Sequence, residues 1–268
     1  MKFKIDHDYH IHSVLSSCSR DPEQSSAHIL QYARDMGLSK ICITDHYWDR
    51  AVDGASPWYA PQDFDHISQA KPLPQAEGVE FLFGCETEMD KYMTVGMPLS
   101  RFDDFSFVII PTTHLHMTGF TLSNEDAESN VRRAELWVER LDKLFDQPLP
   151  FKKIGIAHPA CPLLNKKSRK DYTDMLDLIP TSEMERVFSR AAELGCGIEL
   201  NRADMNYREG EEDSVLRMFK VAKSCGCKFY LGSDSHTPPY FERVKWIFER
   251  AIDYLELKES DKFEFAKQ

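Results

Sequence analysis

Short apolar runs alternate with amphipathic helical stretches along nearly the whole chain, and this alternation constrains the fold most. The β-type segments are Phe3–His12, Lys40–Thr44, Val79–Gly84, Ser106–Thr112, Lys153–Ala157, Gly197–Leu200 and Lys228–Gly232. Between them, helical spacing predicts helices over Ser25–Met36, Ala127–Phe145, Ser182–Leu194, Asp213–Ser224 and Tyr240–Tyr254. Ser25 or Ser26 is the N-cap of the first and Gly37 its stop. Strands that alternate with helices read as parallel βαβ units. No internal repeat or linker divides the 268 residues, so residues 1–268 read as a single domain. The least regular stretch, Tyr47–Gly78, holds Trp48, Trp58, Tyr59 and Phe64 among four prolines. It reads either as a lid over a site or as a surface excursion packed by its own aromatics.

Composition removes several function classes. Lys and Arg number 33 against 44 Asp and Glu, a net charge of −11, which argues against a duplex-binding surface. Seven cysteines at irregular spacing do not make a disulfide framework and fit a reducing compartment. The N-terminus reaches charged residues at once, and no apolar run is long enough to span a bilayer. The expectation is a cytoplasmic chain with a small-molecule substrate, no nucleic acid and no membrane partner. Oligomeric state is not legible.

The ten histidines matter because of where they fall. The first strand ends in His10-Ile11-His12, the second in Asp45-His46, the third in Cys85-Glu86 and the fourth in His114-Leu115-His116. The fifth ends in His158, the sixth in Asn201, and the seventh in Asp234-Ser235-His236. In a parallel barrel all C-terminal strand ends meet on one face. Residues two apart on a strand share a side, so His10 and His12 can hold one ion together. Imidazole with carboxylate suits Zn, Fe or Mn, and so many ligands call for two or three ions. Ions roughly 3.5–4 Å apart drive ester hydrolysis by activating water and neutralising charge. Of the pair His114 and His116, the former follows the strand directly and is the preferred ligand. His7, His28 and His66 lie away from the junctions and read as non-ligating.

In order, H-x-H, T-D-H, G-x-E, a single His, H-P, E-L-N and G-S-D-S-H resemble the polymerase and histidinol phosphatase (PHP) family over residues 8–238. That resemblance implies a distorted (β/α)7 TIM-like barrel with a trinuclear metal site. It places one ion on His10, His12, Glu86 and Asp234, a second on Glu86, His114 and His158, and a third on His46 and His236. Where many members carry a further His, this chain has Cys18, which is either a thiolate ligand or a buried small hydrophobe. A dinuclear site therefore stays open beside the trinuclear one.

The implied activity is metal-dependent hydrolysis of a small phosphate monoester, with histidinol phosphate as the named candidate. Asp234 is the residue to orient the attacking water and His236 to assist the leaving group. Arg20, Asn201, Arg202 and Arg208 are candidates for binding the substrate; each arginine reads equally as a solvated surface residue. The basic run Lys166, Lys167, Arg169 and Lys170 is expected in a loop, solvated or steering anions. The competing readings are a nuclease or phosphodiesterase acting on nucleotides, and a metal-binding regulatory module without turnover. Three divalent ions would add about +6 at one face, so an acidic chain can still hold an electropositive pocket.

Overall fold

A computed structural model of the protein describes residues 1–265; the last three residues of the expected domain lie outside them. Among the described residues nine strands are formed: β1 (His7–Ile11), β2 (Lys40–Ile43), β3 (His46–Tyr47), β4 (Glu80–Phe83), β5 (Cys85–Thr87), β6 (Val108–Pro111), β7 (Ile154–Ala157), β8 (Gly197–Asn201) and β9 (Lys228–Gly232). They pair in two sheets, in the orders β1-β2-β4 and β3-β5-β6-β7-β8-β9. Every pairing is parallel. The expected strands Lys40–Thr44 and Val79–Gly84 form as β2 and β4, and each is followed by a short strand the sequence did not show: β3 after Thr44-Asp45 and β5 after Gly84. A Cβ at Gly84 would meet the Phe107 carbonyl oxygen at 2.4 Å and Cys42 Sγ at 2.7 Å, so this close crossing requires glycine.

Beyond the ladders, the end of β1 meets the segment after β9. Asp234 N donates to the His10 carbonyl (2.7 Å) and His12 N to the Ser235 carbonyl (3.0 Å). Strands of both sheets also share one small apolar cluster, which includes Tyr9, Cys42, Ile109, Ala157 and Tyr230. The larger core draws on both strands and helices, among them Ile41, Ile43, Ile154 and Ile156 from strands and Leu141, Val187 and Phe219 from helices.

Among the described residues there are eight α-helices: α1 (Ser26–Met36), α2 (Phe64–Ile67), α3 (Asn130–Phe145), α4 (Arg169–Leu178), α5 (Thr181–Leu194), α6 (Arg202–Met205), α7 (Glu212–Ser224) and α8 (Val244–Tyr254). In α1 the Ser25 hydroxyl accepts from His28 N, and Gly37 closes the helix in the left-handed region at φ 70°. α3 packs on α4 and α5, and α5 on α7. Three expectations need correction. The basic run is not all loop, because Ser168 caps a helix that begins at Arg169. The last helix starts at Val244 rather than Tyr240, since Pro238 and Pro239 belong to a separate 3-10 turn. Stretch 47–78 is not irregular throughout: it carries α2, which includes His66, and its buried Trp48 and Tyr59 pack on each other, with Trp58 against Tyr59. No helix among the described residues is long and apolar enough to cross a membrane.

Candidate metal centre

The C-terminal strand ends bring the junction residues to one place. β1 delivers His10 and His12, both fully buried, and parallel register sets His46 of β3 opposite Glu86 of β5. His114 follows β6 by three residues, His158 directly follows β7, and Asp234 and His236 follow β9. His158 and Asp234 adopt positive φ (29° and 50°), an unfavourable conformation for non-glycine residues that turns each chain sharply at its strand end. Potential ligand atoms gather in four overlapping groups, each within 4.8 Å: His10, His12, Asp234; Glu86, His114, His158; His12, Cys18, His46, His236; and His10, His158, Glu199.

Outer partners settle which imidazole nitrogen carries the proton. His10 Nδ1 lies 2.8 Å from Glu199 Oε1, so it donates and leaves the Nε2 lone pair free. Ser16 Oγ gives its one proton to Asp45 Oδ1 (2.7 Å) and therefore accepts from His12 Nδ1 (2.9 Å). Likewise Thr113 Oγ1 donates to the His158 carbonyl (3.1 Å) and accepts from His158 Nδ1 (2.9 Å). The inward nitrogens then face other acceptors. His10 Nε2 is 3.1 Å from His12 Nε2, His12 Nε2 is 3.3 Å from both Glu86 Oε2 and Asp234 Oδ1, and His158 Nε2 is 3.2 Å from Glu86 Oε1. Buried lone pairs converging at such distances repel unless a cation lies among them. The donor set therefore fits divalent metal.

Without a cation, protons must take that place. Burial opposes charge on His10 and His12, yet the surrounding carboxylates (Glu199, Asp234 and Glu86 for His10) lift both above the usual histidine range. Burial likewise opposes ionisation of Glu86 and Asp234, but the histidines around them hold both well below the usual carboxylate range. His114 and His236 go the other way: burial, reinforced by neighbouring histidines, pushes each down to about 3, leaving neutral imidazoles. His114 Nδ1 sits 2.7 Å from Glu88 Oε2, and burial lifts that carboxyl to about 8. Cys18 is raised by burial and by the nearby Asp234 and Glu86, which keeps it a thiol when no cation is bound.

A cavity of about 510 Å³ opens over the centre. Cys18, His46, Glu86, His114, Asp234 and His236 lie at its metal-centre side, while Trp58, Tyr59, Met117, Phe120 and Leu163 are among its other walls. The 47–78 stretch thus contributes walls through Ser56, Trp58 and Tyr59. His116 also lines the cavity, with Nδ1 buried and without a hydrogen-bond partner. None of the four expected substrate-binding residues is in the lining. Asn201 is buried, its Oδ1 capping α6 and its Nδ2 donating to Glu199. Arg202 Nε donates to the Ser233 carbonyl and its guanidinium lies over the Tyr240 ring, while Arg20 and Arg208 are exposed. His7 and His66 have structural roles: His7 Nε2 accepts from Leu231 N, and His66 Nε2 donates to the Leu15 carbonyl.

Sequence reasoning missed the carboxylates behind the histidines. Asp45 accepts from Ser13 N, Ser13 Oγ and Ser16 Oγ; Glu88 backs His114; Glu199 joins His10 to the backbone N of His158 (2.6 Å). The available signal was a carboxylate one or two residues from each candidate ligand or strand end.

The fold and the centre together define a parallel α/β protein with a buried histidine–carboxylate cluster at its strand ends. Its architecture matches histidinol phosphate phosphatase from Lactococcus lactis subsp. lactis Il1403, solved with zinc, L-histidinol and phosphate, with a TM-score of 0.57 over 97% of this chain and 98% of that one. At 17% identity, that likeness speaks for the fold. In sequence the chain is 28% identical over 232 residues to a probable phosphatase of Thermoanaerobacter sp. (strain X514), covering 85% of this chain and 78% of the relative. A probable phosphatase of Acetivibrio thermocellus is 25% identical over 254 residues, covering 93% and 87%. No protein-family profile matches the chain.

Proposed function

We propose that this protein is a metal-dependent phosphatase of the PHP type that hydrolyses a small-molecule phosphate monoester. On this reading the two sheets close as a distorted (β/α)7 barrel, serving one site in a single domain. The observation that carries the reading is the buried convergence of inward nitrogens from His10, His12 and His158 on the carboxylates of Glu86 and Asp234, at 3.2–3.5 Å. His10, His12, Glu86 and Asp234 would hold one divalent ion, and Glu86, His114 and His158 a second. His46 and His236 would hold a third, with Cys18 within reach. Zn, Fe and Mn all suit these donors.

Held by these residues, divalent ions would supply water of lowered pKa and positive charge for the phosphate oxygens. The chain's own residues do the rest. Asp234 is turned into the cavity by its positive φ and stays ionised, so it can accept a hydrogen bond from the attacking water and orient it. His236 Nδ1 donates to the Asp234 carbonyl (2.8 Å), and the imidazole is neutral. That arrangement favours His236 as a ligand over His236 as proton donor to the leaving group. Glu199, Asp45 and Glu88 hold the imidazoles in place, each through a hydrogen bond or through Ser16.

Histidinol phosphate, the ester the sequence resemblance points to, is the first substrate to try. Phosphate release by the Zn-, Mn- and Fe-loaded protein, lost in Asp234→Ala, is the expected result. No release from any monoester with any of the three metals would overturn the proposal.

A further inference from the structure

The cavity beside the centre is built for more than a phosphate group. Apart from the metal-centre side chains, its lining is Ser56, Trp58, Tyr59, His116, Met117, Phe120 and Leu163, with no lysine, arginine or free carboxylate. Glu86 and Asp234, the two acids that do reach it, are turned on the histidines. Trp58 stands edge-on to His46 (4.9 Å, 70°) and to Tyr59 (4.7 Å, 82°), yet is 39% exposed. Phe120 packs on Tyr59 and on Trp48, both at 5.4 Å. A large ring left open on a cavity edge, backed by further rings, is a surface for another flat apolar group.

The walls are also fixed. Arg133 Nη1 donates to the carbonyls of Leu115 and Leu164, tying the loop that carries Met117 and Phe120 to the one that carries Leu163. Arg140, fully buried, donates to the carbonyls of Met89, Asp90, Thr112 and Thr121. Both guanidiniums are therefore engaged in scaffolding and do not reach the cavity as anion partners. A charged alcohol moiety placed here would lose its hydration without gaining an ion pair, whereas an aromatic ring loses only apolar hydration.

We infer that the substrate is a phosphate monoester of an uncharged aromatic alcohol, with Trp58 and Phe120 as the residues that select its ring. This rests on the phosphatase reading. Histidinol phosphate would present a ring to Trp58, but the lining offers its ammonium no free carboxylate.

The test compares esters of alkyl alcohols, so that intrinsic reactivity stays similar: 2-phenylethyl phosphate, ethyl phosphate and O-phosphoethanolamine, on the metal-loaded protein. The phenylethyl ester is expected to exceed O-phosphoethanolamine at least ~10-fold in kcat/KM, the range that one well-filled apolar pocket supplies. Trp58→Ala and Phe120→Ala should each raise its KM by roughly 10-fold with a far smaller effect on ethyl phosphate, and Trp58→Phe should restore most of the loss. Trp58→Glu should shift preference toward O-phosphoethanolamine. Binding of the non-hydrolysable 2-phenylethylphosphonate, measured by calorimetry, reads the wall without turnover. If no monoester is cleaved but the phosphonate binds wild type and not Trp58→Ala, the phosphatase reading fails and the aromatic site stands. Preference for O-phosphoethanolamine, or an unchanged phenylethyl KM in both alanine variants, overturns the inference.

Discussion

Replacing Glu199 by Gln removes almost no volume, yet it should loosen the whole centre. Both carboxylate oxygens are acceptors: Oε1 takes His10 Nδ1 (2.8 Å) and Asn201 Nδ2 (3.1 Å), and Oε2 takes His158 N (2.6 Å). An amide offers one acceptor and one donor, so whichever way it flips, an N–H faces another N–H in a fully buried place. If the amide nitrogen turns to His10, the imidazole is driven toward the other tautomer and its inward lone pair is lost. If it turns to His158, the positive-φ backbone there loses its anchor. An unpaired buried donor costs about 1–3 kcal/mol. Loss of a carboxylate behind a histidine ligand typically weakens metal binding roughly 10–100-fold. Titrating metal-stripped protein with Zn against a chromophoric chelator reads that change, and thermal melting reads the stability. Zn binding within about twofold of wild type, together with an unchanged melting temperature, would refute the reasoning.

Gly232→Ala attacks the same carboxylate from behind, since its Cβ would sit 1.8 Å from Glu199 Oε1 and 2.7 Å from His10 Cβ. Melting should show a loss of at least about 1–3 kcal/mol from overpacking, and combining it with Glu199→Gln should give less than the sum of the two losses. In the Co-loaded protein, Cys18→Ser should abolish a near-ultraviolet sulfur-to-cobalt charge-transfer band; no such band in wild type would exclude Cys18 as a ligand. At the opposite pole, burial opposes ionisation of Asp6, but hydrogen bonds from His7 and Lys262 hold its carboxyl at about 2, below the usual 3.8. Its contribution is therefore present above the unfolded value and lost as pH falls through about 2. The melting difference between wild type and Asp6→Asn, measured in chelator, should shrink between pH 4 and pH 2.

The strand ends were legible because buried parallel strands are short apolar runs and the polar residue that ends each one stands out. His10, His12, His46, Glu86, His114, His158, Asp234 and His236 could all be placed from that pattern and arrive in one set of overlapping clusters. The groups that orient them could not. Glu199 meets His10 across 189 residues of chain, and Glu88 meets His114 across 26, so a carboxylate beside a strand end is visible in the sequence but the imidazole it meets is not. Asn201 ends its strand as a ligand would, but a side chain there can also cap the next helix, and α6 begins one residue later. Helix α4 was hidden because Arg169, Lys170 and Asp171 open it with a charged first turn, and only Tyr172, Met175 and Leu176 are buried. The aromatic cavity wall needs residues from three loops, which no spacing rule unites.

The central claim is that this pocket holds metal for phosphomonoester hydrolysis, and the most direct test is elemental analysis of protein purified with Zn, Fe and Mn supplied. The account predicts two to three equivalents per chain, falling sharply in Glu86→Ala because Glu86 lies within 3.5 Å of His10, His12, His46 and His158 nitrogens. Fewer than one equivalent, or a content unaffected by loss of Glu86, would contradict it.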